Sequence, residues 1–123
     1  MATLNASTFK SLADAEAHHL FLIDAAAAEA RKTDPAQEVV YQRKLTEAIQ
    51  GHGVLIEAEA EAIGVQVSEV AASVIRRRDA WEDHIHTVEV QRIKAKWNVR
   101  NASTPAAMHQ VVKAFRQQLP LLQ

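Results

Sequence analysis

"AIGVQVSEVAASVIRRRDAW", residues Ala62 to Trp81, decides between two helical architectures. A helix-like run stops at Gly64, which supplies the left-handed position where helices commonly end. A short apolar link follows, and Ser68 then suits the cap of a new helix that runs into three arginines, Arg76 to Arg78. A DNA-reading helix-turn-helix and a plain hairpin bend share this outline. The DNA reader needs a small residue four before the turn glycine, an apolar residue after it, and buried positions in its second helix. Ala60, Val65 and Val70 meet those needs, but Ser73 stands where an aliphatic side chain belongs. The arginines also lie at the far end of the proposed recognition helix, away from the N-terminal residues that touch bases. A capped hairpin bend accounts for every one of these features. It is the leading reading, and a small DNA-binding regulator using Ser68–Arg78 is the alternative.

Downstream of the bend, the pattern predicts a helix over 68–98. Val70, Val74, Trp81, Ile85, Val88 and Ala95 make its main apolar stripe, and Ile75, Ile93 and Trp97 make a second. Thirty helical residues span about 45 Å, which points to an elongated molecule. Upstream, Asp34, Pro35 and Gln37 form a helix start, and Tyr41, Leu45, Ala48, His52, Leu55 and Ala62 share one face. Gly51 and Gly53 each weaken a helix interior by about 1 kcal/mol. Leu55 nevertheless keeps the phase set by Tyr41 and Leu45, so one helix over 35–63 with a soft point is expected, with two shorter helices as the fallback.

The first helix is predicted over 6–31. Phe9, Leu12, Leu20, Ile23, Ala27 and Ala30 form its stripe, which Glu16 and His19 interrupt. At the other end, "NVRNASTP" breaks the chain, and Thr104-Pro105 opens a last helix over 105–119 with Met108, Val112, Phe115 and Leu119 on one side. No strand-like alternation competes. The expectation is an all-α single domain over 1–123, an elongated helical hairpin or bundle of about four helices.

Composition agrees with a helical chain. Among 123 residues there are three Gly, three Pro and only 5% aromatic side chains, and a core of alanine and aliphatic residues leaves little room for a large ligand cavity. No cysteine is present, which excludes disulfides and thiolate metal sites. "MATLNASTFK" lacks the basic run and apolar core of a secretory signal, and "LFLI" at 20–23 is too short to span a bilayer. A protein kept in a cytoplasm, off the membrane, is expected. Net charge is −1, but residues 1–62 carry ten acidic and five basic side chains, and residues 63–123 carry five acidic and nine basic. Pairing of acidic with basic helices, within or between chains, is the preferred account; nucleic-acid attraction is the other.

Catalytic signatures are sparse. Glu16-x-x-His19 and Asp83-x-x-His86 have the carboxylate-x-x-His spacing of di-iron helical bundles. The second motif has Asp in place of Glu, and it points away from the stripe where an interior site would lie. Solvated polar faces with pairs such as Asp14–His18 and Glu82–His86 are the simpler reading. There is no H-E-x-x-H, Gly-rich phosphate loop or G-x-S-x-G. No metal, cofactor, small-molecule substrate or enzymatic activity is expected. Helical phase places Glu16, Arg77 and Arg92 on apolar stripes, where a lone charge is costly. Glu16 is therefore expected to meet Arg77 or Arg92, inside the packing or across a subunit contact. These three, with Ile75, Trp81, Ile93 and Trp97, are the candidate interaction residues.

The segment from about Ile56 to Leu119 resembles a helical module of small tail-region and assembly proteins of tailed bacteriophages and prophages. The likeness rests on "IEAEAEAIGVQVSEVAASVI", the Trp of "RRDAW", "VEVQRIKAKWNV" and "STPAAMHQVVKAF". It covers about half the chain. "VEVQR" replaces the usual alanine-rich stretch, and the three arginines depart from the pattern. The resemblance implies a non-enzymatic part of a virion or its assembly, found in the particle or the host cytoplasm. Its partners would be copies of itself or other virion proteins, held by coiled-coil-like helix contacts. Nucleic acid is not expected as a partner.

Overall fold

The computed structural model describes residues 9–119. They form five helices: α1 (Leu12–Ala30), α2 (Pro35–Gln50), α3 (Val54–Ile63), α4 (Val67–Asn101) and α5 (Pro105–Gln118). The described residues contain no strand. The all-α expectation holds, with five helices in place of four.

Local chemistry sets each boundary. The Ser11 hydroxyl accepts the Asp14 amide at 3.1 Å, so α1 begins at Leu12 and not at residue 6. Part of that expected first turn, residues 6–8, lies outside the described residues. Asp34 accepts the Ala36 amide at 3.0 Å with Pro35 at the first helical position, and Thr104 accepts the Ala107 amide at 3.1 Å ahead of Pro105. Gly64 (φ 73°) closes α3, its amide and that of Val65 both donating to the Ala60 carbonyl. The new helix then starts one residue earlier than expected. The Gln66 carbonyl accepts the Glu69 and Val70 amides, so Ser68 lies inside the first turn of α4 and is not its cap.

The expected continuous helix over 35–63 is broken. Gly51 takes φ 86° and donates to the Glu47 carbonyl at 2.8 Å, ending α2 at Gln50. Gly53 at φ 154° precedes α3, a conformation that side-chain-bearing residues rarely adopt. Its position also lies against Glu47, whose carboxyl group fills the space a Cβ would need. The break resets the helical phase. His52 and Ala62, expected on the apolar face, are exposed, while α3 buries Ile56 and Ala60.

Contacts cluster into two compact units, one of residues 1–32 with 84–123 and one of residues 33–83. In the first, α1 packs closely on α5, with Ala15, Ile23 and Ala27 facing Met108, Val112 and Phe115, and α4 adds Val88, Ala95 and Val99. Alanines on α1 let the α5 backbone approach. In the second, α2 pairs with α3, and Ala48, Ile56 and Ala60 pack with Val70, Ala71 and Val74. Each fully buried Val, Ile or Met contributes about 1.5–3 kcal/mol relative to exposure, so both cores rest on few large side chains.

Candidate functional site

The second apolar stripe expected on α4 has two fates. Ile75 packs half-buried against the core of the 33–83 unit. Ile93 and Trp97 stand outward at 56% and 64% exposure, joined by Val90 at 47%. Spacings of three and four residues put all three on one helix face. Exposed Lys94 and Arg100 flank it, and neither has an ion pair among the described residues. Val90 was not among the expected interaction residues. Its position three before Ile93 and seven before Trp97 carries the signal that would have found it.

On the same unit, α1 and α4 are joined by a chain of alternating charges. Arg92 donates through Nη1 to Asp24 Oδ1 at 2.8 Å, and through Nη2 and Nε to both carboxylate oxygens of Glu89 at 2.7 and 2.9 Å. Lys96 Nζ holds Asp24 Oδ2 at 2.9 Å, and Arg31 reaches Glu89 at 3.3 Å. The Lys96 hydrogen bond, then that of Arg92, holds the Asp24 carboxyl below its usual range. Arg92 does the same to Glu89, and the two carboxylates push the Arg92 guanidinium higher still. Within the chain, the expected pairing of Glu16 with Arg92 does not form. Arg92 takes Asp24, two turns along α1 from Glu16, together with its own-helix neighbour Glu89. Glu16 is half-buried with no ion pair among the described residues, so it needs no buried partner. Arg77, placed by phase on an apolar stripe, is exposed instead and also has no ion pair among them.

Trp81 is half-buried in the 33–83 unit and lines a cavity of about 350 Å³ with Tyr41, Gln37, Glu38 and Arg77. The Tyr41 hydroxyl is buried with no hydrogen-bond partner among the described residues, and burial pushes its pKa up. The cavity wall combines two aromatic rings with charges of both signs.

The histidines divide sharply. His19 is fully buried between Phe9 and His109, its ring 5.5 and 6.4 Å from theirs. Its Nδ1 lies 2.6 Å from the Ala15 carbonyl and so donates, which leaves Nε2 as a buried acceptor without a partner among the described residues. Desolvation lowers its pKa, with the neighbouring His18 and His109 acting the same way. His84 is also buried and donates to the Ala30 carbonyl at 3.1 Å. His86 of the second carboxylate-x-x-His motif is exposed. Among the described residues no group of three His, Asp or Glu is placed to hold a metal ion, so the two motifs do not converge. No described helix is long and apolar enough to cross a membrane.

The site thus defines a helical protein with an outward apolar and basic face on α4. Comparison with protein-family models, with curated proteins and with solved structures finds no match to this chain.

Proposed function

We propose that this chain is a non-enzymatic structural or assembly component of a tailed-phage virion, of the tail or neck region, acting through helix-mediated self-association and binding to other virion proteins. The exposed Val90, Ile93 and Trp97 face of α4 carries the reading. A contiguous group of large apolar side chains on a water-facing helix marks an association surface. The resemblance of residues 56–119 to phage tail-region modules supplies the setting. Two features of that pattern shape the chain here, Gly64 as the left-handed end of α3 and Thr104-Pro105 as the cap of α5.

Burial of narrow apolar stripes between copies, in the manner of coiled coils, is the mechanism. The rival DNA-binding reading of Ser68–Arg78 draws on Arg76 and Arg77, which are exposed. Against it, Glu69 sets an exposed carboxylate in the first turn of α4, where phosphates and bases would approach. Mass spectrometry of purified particles from a host carrying the gene tests the proposal. The chain should be present in the particle or its assembly intermediates; its absence from both would reject the phage role.

A further inference from the structure

The exposed α4 face has a counterpart in the same chain. On α3, Val54, Ala58 and Ala62 are exposed and recur at four-residue intervals, so they form one ridge, with Val54 at 74% exposure. Glu61 lies beside that ridge, exposed and without an ion pair among the described residues. Glu57 is its neighbour one turn back and is also exposed. The α4 face presents large side chains between cations that have no ion pair among the described residues; the α3 ridge presents small ones beside carboxylates. Large side chains would lie over small ones, and the charges are opposite.

The same complementarity holds for the whole units. Residues 33–83 carry ten acidic and five basic side chains, while residues 1–32 with 84–123 carry five acidic and nine basic. We propose that the α4 face of one copy, Val90, Ile93 and Trp97 with Lys94 and Arg100, docks on the α3 ridge of a second copy, Val54, Ala58 and Ala62 with Glu57 and Glu61. This rests on the self-association reading above and names the two surfaces that meet. Like-charge repulsion disfavours the alternative of α4 on α4, because both faces would bring Lys94 and Arg100 together. The contact joins two different faces, so each copy offers one free socket and one free plug, and association propagates unless two copies exchange both. A few helical turns bury less than the roughly 800 Å² per partner of a standard stable interface. Each contact is accordingly weak alone, and avidity arises only where two copies exchange both contacts or a ring closes.

Sedimentation and light scattering of the full chain from about 1 to 200 µM test the proposal at low and high salt. The wild-type mass should rise with concentration, and more steeply at low salt. Trp97→Asp, at an exposed position, should weaken association at least tenfold with an unchanged far-UV spectrum. So should Lys94→Glu with Arg100→Glu, and so should Ala58→Lys with Glu61→Lys. Mixing the two double variants should restore association, because acidic α4 then meets basic α3. A wild-type monomer throughout would overturn the inference, as would indifference to the α3 variant or failure of the mixture to recover. None of those outcomes removes the chain from phage particles, so the phage role stands or falls separately, on the mass spectrometry of particles.

Discussion

Glu47→Ala is expected to destabilise the protein by about 3 kcal/mol, far more than most carboxylate-to-alanine changes. α3 has ten residues, too few to hold together alone, and its N-cap, Gly53, offers no side chain. The missing cap comes from α2. Glu47 is 9% exposed, and its Oε1 accepts the Leu55 amide at 2.8 Å and the Ile56 amide at 3.1 Å. A hydrogen bond to a charged group contributes about 1.5–3 kcal/mol, and two sharing one oxygen fall short of twice that. Truncation also leaves the buried Ile56 amide without a partner, at about 1–3 kcal/mol. Glu47→Gln keeps an acceptor oxygen but loses the attraction of a carboxylate for the helix N-terminus, so its loss should be about 1 kcal/mol. Glu47→Asp is one methylene too short to reach and should behave like Ala. Urea unfolding followed by circular dichroism gives the totals. Amide exchange at Leu55 and Ile56 gives the local effect, where about 3 kcal/mol corresponds to more than a hundredfold faster exchange. A Glu47→Ala loss under about 0.5 kcal/mol, with those two amides still protected, would refute the capping argument.

His19 has a folded-state pKa below its ordinary 6.5, so the unfolded chain binds the proton first. Its contribution should be complete above about pH 6.5 and fall away as the pH drops below that; the urea midpoint of His19→Leu should lose less than wild type between pH 6.5 and 5. Asp24, also depressed, acts in a lower window, its contribution present above its ordinary 3.8 and lost as pH falls through the folded-state value. A double-mutant cycle of Asp24→Asn with Arg92→Ala should give a coupling of about 1 kcal/mol, since both side chains keep some solvent contact. Glu16→Ala should cost less than about 1 kcal/mol and add independently to Arg92→Ala. Duplex DNA should bind weakly or not at all near physiological salt, with little change on Arg76→Ala or Arg78→Ala; a salt-sensitive complex tighter than micromolar in a gel-shift titration would reverse the functional reading.

What could be read from the residues was what neighbours in sequence determine. Asp34-Pro35, Thr104-Pro105 and Gly64 act within one helical turn, and the structure uses all three as caps or stops. The stripe Met108, Val112, Phe115 and Leu119 is buried as phase predicts, and His19 is buried where it interrupts the α1 stripe. The break at Gly51–Gly53 was harder. Leu55 has the spacing that would continue the phase of Leu45 in an unbroken helix, but the stabilisation of the bend comes from Glu47 reaching eight and nine residues ahead. The partner of Arg92 was likewise beyond reach, because the axial register of α1 against α4 chooses Asp24 over Glu16 and no local rule contains that register. Exposure of Val90, Ile93 and Trp97 depends on how many neighbours α4 has, which helical phase alone cannot count.

The division of the chain also has a consequence in time. Residues 33–83 hold all the partners of their own core, and these lie close in sequence. The other unit joins the two ends, so Ile23 and Ala27 of α1 must wait for Val88 and then Phe115 to be made. At about 5–20 residues per second, the ninety or so residues between Ile23 and Phe115 take several seconds to emerge. During synthesis the 33–83 unit can close first, while the apolar face of α1 stays bare. α5 supplies the side chains that end this interval, so a ribosome stalled before α5 would leave a chain with one finished core and one sticky, half-built one.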